Sequence, residues 1–464
     1  MDTISVREKP FGMRDKIGYL FGDFGNDFTF LLSSGFLLKF YTDVMGVSAA
    51  AVGAIMMLAR FIDAFTDVAM GRICDRSKIG KNGKFKPWIL RMSGPVAISS
   101  FLIYQSGFAG YSTSFKIFWL FITYILWGSI FYTSINIPYG SMSSTISREA
   151  LDRQSLSTYR TMGSTLAGAI VGVGVPLLAY VVVDGKTVLD GDRFRIIAGV
   201  FSVLAIISYL ICYFLVTERA IPKPGAETRG RSAKALLYSA LKNRAILSIV
   251  VASVIMLFSQ LTLQSMANYI YPNYYESASA QSVSTLVMLS GMMLSAAFAK
   301  PLSRLIGKAE ISAISSLFAA AISLLLFFVR PKSVWVYIAL TGVSWIGLGF
   351  FAMVSWALIT DVIDYSEIRN GVREDGSIYA LYSFSRKLGQ AAAAGLTGLL
   401  LELIGYSQSN AFSESVLRGI FNISTLVPAI GFFLLFLVLW IWYPLKKKAV
   451  LENIEILKKK HGGV

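Results

Sequence analysis

The chain has 464 residues, of which 55% are hydrophobic and only 15% charged, and 43 Lys and Arg against 27 Asp and Glu give a formal net charge of +16. Soluble domains carry about 25% charged residues, so this composition excludes an ordinary water-soluble enzyme or binding module and indicates a chain that crosses a membrane many times. The positive excess is not that of a nucleic-acid binder, because Lys and Arg gather in alternate loops, as the positive-inside rule demands.

Taken in order, apolar windows lie at 17–43, 48–74, 88–108, 115–142, 157–183, 194–217, 244–271, 280–303, 308–329, 333–363, 379–404 and 417–445. At roughly 20 residues per span these predict an all-α membrane protein of twelve transmembrane helices. Basic residues crowd the N-terminus (Arg7, Lys9, Arg14, Lys16), the loop after window two (Arg72 to Lys86), the central stretch 218–243 and the tail, while 42–48 and 271–282 have none. Both termini are therefore expected in the cytoplasm. The central stretch, with Pro222, Pro224 and Gly225, reads as a linker between an N-terminal half (1–217) and a C-terminal half (244–445) of six helices each, followed by a basic tail (446–464). That is the plan of a major-facilitator transporter. Gly168-x-x-x-Gly172 in window five and Gly389 to Gly395 in window eleven predict close helix packing. The two cysteines, Cys74 and Cys212, imply no disulfide framework. The single histidine, His461, sits in the tail and offers no core metal site or base. The polar N-terminus leads us to expect no cleavable signal peptide. No phosphate-binding loop is present, so an ion gradient is the remaining energy source for transport.

The second window, AVGAIMMLARFIDAFTDVAMG, is interrupted by Arg60, Asp63 and Asp67. An ionisable group at mid-bilayer depth costs at least about 2.5–3.5 kcal/mol and marks an ion pathway by default. Spacing i, i+4 sets the two carboxylates one turn apart on one face, where they repel unless a cation or proton lies between them. This is the pattern of a cation-coupling site; the alternative is structural ion pairing with Arg60 and other basic groups. Window one repeats the spacing in Asp23 and Asp27, with Asn26 beside them. Window four carries Tyr132, Thr133, Asn136 and Pro138, window five opens with Tyr159-Arg160, window ten has Trp356, and window eleven has Lys387. Carboxylates, amides, guanidinium and aromatic rings suit sugar recognition, since hydroxyls need paired donors and acceptors and pyranose C–H faces stack on rings. A Trp or Tyr near a span end can equally be a membrane-belt residue. Charges Asp361, Asp364 and Glu367, at and beyond the end of the helix-ten window, and Arg148, Arg153 and Arg373 form candidate cytoplasmic gate pairs, or else a solvated loop. Asp75 and Arg76 end a Gly71-x-x-x-Asp75-Arg76 run of the kind found in facilitator gates. No catalytic constellation is visible, and an enzyme is not expected.

The runs FYTDVMGVSAAAVG, ARFIDAFTDVAMGRICDRS, GKFKPWIL, TYILWGS, NIPYGS, DVIDYSE and GVREDGSIYALYSFSRKLGQA resemble the glycoside–pentoside–hexuronide:cation symporter family, which includes the melibiose permease, through nearly the whole chain. NIPYGS and SFSRKLGQ are closer to its glucuronide and pentoside carriers. The resemblance implies a major-facilitator fold in the bacterial cytoplasmic membrane and sugar uptake by alternating access, coupled to Na+ or H+ and needing no other cofactor. The partners expected are a small sugar, a monovalent cation and membrane lipid, with the protein monomeric. It also implies that Asp63 and Asp67 hold the cation, with Thr66 where the family has an intervening asparagine and Thr133 nearby. Asp27, Arg160 and Lys387 correspond to sugar-contacting residues, and Asp23, Tyr132, Asn136 and Trp356 complete the candidate substrate set. Two departures stand out: the helix-four aspartate that holds galactosides in melibiose permease is Asn136 here, and its neighbouring tryptophan is Gly140. Asn136 argues against a melibiose-like substrate and permits a uronide. Threonine at 66 leaves the choice between Na+ and H+ open. The alternative is a cation-coupled carrier of a lipid-like or other non-sugar solute.

Overall fold

The computed structural model describes residues 10–77, 79–80, 83–219, 243–371 and 375–460. They form long helices: α1 (Met13–Asp43), α2 (Ala49–Arg76), α3 (Lys86–Ile103), α4 (Thr113–Ile146), α5 (Ala150–Ala179), α6 (Gly191–Leu215), α7 (Arg244–Tyr274), α8 (Ala278–Leu305), α9 (Lys308–Val329), α10 (Val334–Asn370), α11 (Asp375–Leu403), α12 (Glu414–Trp442) and α13 (Lys447–Lys460). Nine of them among the described residues are long and apolar enough to cross a membrane. Helices α1, α3 and α11 are also long, but ionisable and polar side chains interrupt them. Large apolar side chains point outward, among them Phe65 (78% exposed) and Phe328 (72%), a surface suited to lipid and not to water. Within such a solvent every backbone group must be satisfied inside the chain, which is why the architecture is helical.

Helix starts follow the sequence. Ser48, Ser112, Asp190, Asn243 and Ser277 each accept a hydrogen bond from a backbone N–H of the first turn, which satisfies one of the orphan donors there. Three helices contain π-helical turns: Leu126–Tyr132 in α4, Ile270–Tyr274 in α7 and Val438–Trp442 in α12.

Two outcomes differ from the sequence expectation. The fifth window does not stay helical to 183. Helix α5 stops at Ala179, and Tyr180–Val183 pairs with Lys186–Leu189 in a β-hairpin. Asp184-Gly185 between β-branched residues is a hairpin turn signal, so the fold is not purely helical. Helix α10 runs past 363 to Asn370, where Gly371, at φ +74°, donates to the Glu367 carbonyl at 2.9 Å and ends it. A left-handed residue at that position is what glycine supplies most readily. Asp361, Asp364 and Glu367 therefore lie within the last turns of α10, not in a loop after it.

The chain gathers into two compact units, Met1–Val183 with Val188–Glu227 and Asp184–Thr187 with Thr228–Val464. In the second, Ile249, Ala252 and Met256 of α7 share a core with Trp345, Leu348 and Phe351 of α10 and Phe432 and Leu435 of α12. Gly389 brings α11 against Leu257 and Val254 of α7. In the first, α1 is central and packs on α5 and α6. Phe28 meets Phe201, and Phe40 meets Phe194, each with ring centroids 5.2 Å apart. The closest α1–α5 approach is at Gly163, where a Cβ would lie 3.2 Å from the Leu20 carbonyl carbon and 3.3 Å from the Phe24 nitrogen. Gly168 of the anticipated pair makes only ordinary contact with Leu31.

A polar clasp closes one end of the first unit. Arg219 grips buried Asp15 with both guanidinium nitrogens, at 3.1 and 2.9 Å, and donates its own N–H to the Thr145 carbonyl at 2.7 Å. The Glu218 carboxylate accepts the N–H groups of Lys84, Phe85 and Lys86 at 3.0, 2.9 and 2.7 Å, an anion at the positive end of α3. Residues 218 and 219 thus fasten the end of α6 to α1, α3 and α4; the remainder of the anticipated linker, 220–242, lies outside the described residues. Breaking a buried pair leaves an uncompensated charge and costs about 3–5 kcal/mol. Arg219→Ala is expected to lower the melting temperature of the detergent-purified protein markedly, and Arg219→Lys, which keeps the charge but not the fork, to fall between; thermal unfolding measures both.

Candidate functional site

Two ladders of polar side chains cross the first unit. On α2, Asp63 and Asp67 are spaced i, i+4, and on α4 so are Ser129 and Thr133. Ser129 Oγ donates to Asp63 Oδ1 at 2.5 Å, and Thr133 Oγ1 to Asp67 Oδ1 at 2.9 Å. On α1, Asp23 and Asp27 have the same spacing, matched by Arg160 and Ser164 of α5. Arg160 Nε donates to Asp23 Oδ1 at 3.0 Å, and the Ser164 hydroxyl to Asp27. In both cases the rungs pair in ascending order, so each helix pair runs the same way and equal spacing brings both rungs into register.

Arg60 adds a guanidinium to the α2 ladder. Its Nη1 lies 3.1 Å from Asp63 Oδ2, its side chain is 11% exposed, and it sits over the Phe30 ring at 5.3 Å, a cation–π contact in a desolvated setting. The pairing of Arg60 with Asp63 anticipated as an alternative is thus present, one turn below Asp67. Thr66 turns away: its hydroxyl donates to the Asp63 backbone carbonyl at 3.3 Å. Tyr132 stacks on Phe30 with centroids 5.7 Å apart and lies 5.5 Å from Trp127.

Arg160 also covers the Tyr139 ring at 5.3 Å, and Tyr139 stacks on Tyr19 at 4.6 Å. A Cβ at Gly140 would come 4.0 Å from Arg160 Nη1, so a bulky residue there would crowd the guanidinium. Asn26, between the two α1 carboxylates, accepts from the Tyr209 hydroxyl of α6 at 2.8 Å and donates through Nδ2 to Asn136 Oδ1 of α4 at 3.4 Å. Asp23, Asn26, Asp27, Asp63, Thr133, Asn136 and Arg160 are therefore joined to one another or to direct partners within a single unit.

Other candidates lie elsewhere. Trp356 and Lys387 belong to the second unit. Trp356 stacks on Tyr379 (5.6 Å, 18° between planes), meets Tyr382 edge-on at 5.0 Å, and has the Arg386 guanidinium 5.8 Å above it, an exposed aromatic platform. Among the gate candidates, Asp361 pairs with Lys308 at the start of α9 at 2.5 Å. Asp75, Arg76, Arg148 and Arg153 are exposed and form no ion pair among the described residues. Arg373 lies outside the described residues. Ser129, Ser164, Tyr209 and Lys308 escaped the sequence reading. The two serines had a signal, since each stands four residues from a residue already singled out.

A profile of the MFS/sugar transport protein family matches residues 18–447. The chain belongs to that family. Its members are transporters and not enzymes. Among its relatives, this family member is 31% identical to the uncharacterized symporter YjmB of Bacillus subtilis, over 99% of this chain and 98% of the relative. It is 30% identical to the glucuronide carrier protein homolog of Escherichia coli, over 96% of each. The crystal structure of a D-xylose-proton symporter superposes with a TM-score of 0.63 over 93% of this chain and 97% of that one, at 15% identity. The latter is a likeness of fold alone, a chain built mainly of long apolar helices.

The ladder geometry predicts cross-linking. With Cys74 and Cys212 replaced by alanine, the pairs Asp63→Cys with Ser129→Cys and Asp27→Cys with Ser164→Cys are expected to form disulfides under mild oxidation. Asp63→Cys with Ser134→Cys, off the shared face, is expected not to, and gel mobility after site-specific proteolysis reads the result.

Proposed function

We propose that the protein is a cation-coupled symporter that takes up a sugar derivative (a glycoside, pentoside or hexuronide) by alternating access, with Na+ or H+ as the coupling ion. It would act in the bacterial cytoplasmic membrane, as a monomer with twelve spans and both termini in the cytoplasm. The observation that carries the reading is the pair of ladders. On α2, Asp63 and Asp67 face Ser129 and Thr133 of α4, so carboxylate and hydroxyl oxygens converge from two helices inside a membrane-spanning segment, where ionisable groups mark ion pathways by default. A monovalent cation would sit at this ladder, with Asp67 and the Thr133 hydroxyl as ligands and Asp63 shared with Arg60. Thr66 remains a candidate ligand only through a lone pair not used in its backbone bond.

The α1 ladder is the sugar side of the proposal. Asp23 and Asp27 accept from hydroxyls, and Arg160 donates to hydroxyls or to a carboxylate. Tyr132 offers a ring, and Trp356 and Lys387 are the second unit's candidates. A hexuronide suits the site best. Asn136 brings no charge to oppose it, Gly140 leaves Arg160 uncrowded, and the E. coli relative is named a glucuronide carrier homolog. If the cation favours binding of the anionic sugar, the sugar by linkage favours binding of the cation to the same degree. A lipid-like solute gives no reason for buried Asp23 and Asp27 paired with Arg160 and Ser164. Ion pairs at Asp75, Arg76, Arg148, Arg153, Asp361, Asp364, Glu367 and Arg373 that form in one state and break in another would serve as the gate.

The test is uptake and counterflow in proteoliposomes across a panel of glycosides, pentosides and hexuronides, with Na+ and H+ gradients varied separately. Asp63→Asn and Asp67→Asn are expected to abolish gradient-driven accumulation while counterflow of the preferred sugar persists. Undiminished accumulation in both single variants would sink the cation role.

A further inference from the structure

The amide chain ending at Asn136 has a direction. Asn26 of α1 bridges to two neighbouring helices, with its nitrogen on the side that faces Asn136 of α4. Its oxygen faces the opposite way and takes the Tyr209 proton at 2.8 Å. Tyr209 and Asn26 are 2% and 1% exposed, so solvent does not compete for these bonds. Asn26 Nδ2 then reaches Asn136 Oδ1 at 3.4 Å. With its oxygen turned toward α1, Asn136 holds its own nitrogen away from α1. That nitrogen has no partner among the described residues, and the residue is only half-buried.

We infer that Asn26 and Tyr209 are positioning residues that fix the flip of Asn136, so that it offers the solute a hydrogen-bond donor and selects sugars bearing an anionic oxygen at that point. The inference rests on the proposal that the first unit binds a sugar, and adds what sets the sign of its preference. An unconstrained asparagine would rotate its amide and serve donors and acceptors alike. Here the Tyr209 hydroxyl, donating to the Asn26 oxygen, turns the Asn26 nitrogen toward Asn136 and removes that freedom. An aspartate at 136 would still accept from Asn26 but would turn an oxygen to the solute, repelling a carboxylate while accepting from a hydroxyl. The sugars this relay favours are uronides and other acidic sugars over their neutral counterparts.

The experiment measures kcat/KM in proteoliposomes for matched pairs that differ only in carboxylate against hydroxymethyl, a glucuronide with its glucoside and a galacturonide with its galactoside, and takes the acid-to-neutral ratio. Wild type is expected to prefer the acid. Asn136→Asp, isosteric and still able to accept from Asn26, is expected to cut the ratio by about 10-fold to 100-fold, the worth of one hydrogen bond to a charged group. Tyr209→Phe removes one hydroxyl and leaves the fold intact; it is expected to cut the ratio about 3-fold to 10-fold, part of the same bond. A structural defect alone lowers both sugars together and leaves the ratio fixed. A ratio unchanged in Tyr209→Phe overturns the inference while leaving sugar transport standing, and so does a wild type that prefers the neutral member of each pair. A wild type that moves no sugar of either kind overturns the proposed function instead.

Discussion

A carboxylate held among apolar helices must be answered by another polar group close at hand, and this requirement organises the first unit. Desolvating a charge costs far more than a single packing contact returns. Each of the four aspartates is therefore met by a side chain from a neighbouring helix or from its own next turn. Those meetings decide which helices touch. Asp63 and Asp67 bind α2 to α4 through Ser129 and Thr133, and Asp23 and Asp27 bind α1 to α5 through Arg160 and Ser164. Asn26 then ties α1 to α4 and α6. Apolar contacts such as Phe28 against Phe201 fill the space between but would accept many registers. The polar rungs accept few.

The same requirement couples the two ladders. Both draw on α4, which presents Ser129 and Thr133 toward α2 and Asn136 toward α1. Around Ser129 and up to Thr133, α4 leaves regular α-helical geometry in the π-helical turn Leu126–Tyr132, a feature often found at functional sites. Thr133 lies just beyond it and also reaches the Gly128 carbonyl at 3.2 Å. Its single proton cannot fully serve both acceptors, so a cation that takes Asp67 would free the hydroxyl to turn back along α4.

Much of this was legible in the sequence, because the costs are local. Asp23 with Asp27 and Asp63 with Asp67 betray themselves as charges in apolar windows at a helical interval. The Asp184-Gly185 hairpin was legible too, but a helical window reaching across Val181 to Val183 hid it. The partners were harder to see. A serine in a membrane helix carries no penalty large enough to single it out, and Ser129 and Ser164 look like any other small residue until spacing is compared across helices. Arg219 and Asp15 stand some two hundred residues apart, and nothing in periodicity joins them. The extension of α10 to Asn370 followed from where a left-handed glycine falls, a stop signal that hydropathy does not contain.

The α1–α5 ladder has one consequence for how these helices can move. Because its rungs repeat every four residues on both sides, displacing α5 by one turn, about 5.4 Å, would carry Arg160 from Asp23 to the level of Asp27 and strip Ser164 of its acceptor. Displacements smaller than a turn would satisfy neither rung. The helix pair is thereby quantised: it has stations, not a continuum, and the arginine serves as the tooth that must clear one carboxylate before engaging the next.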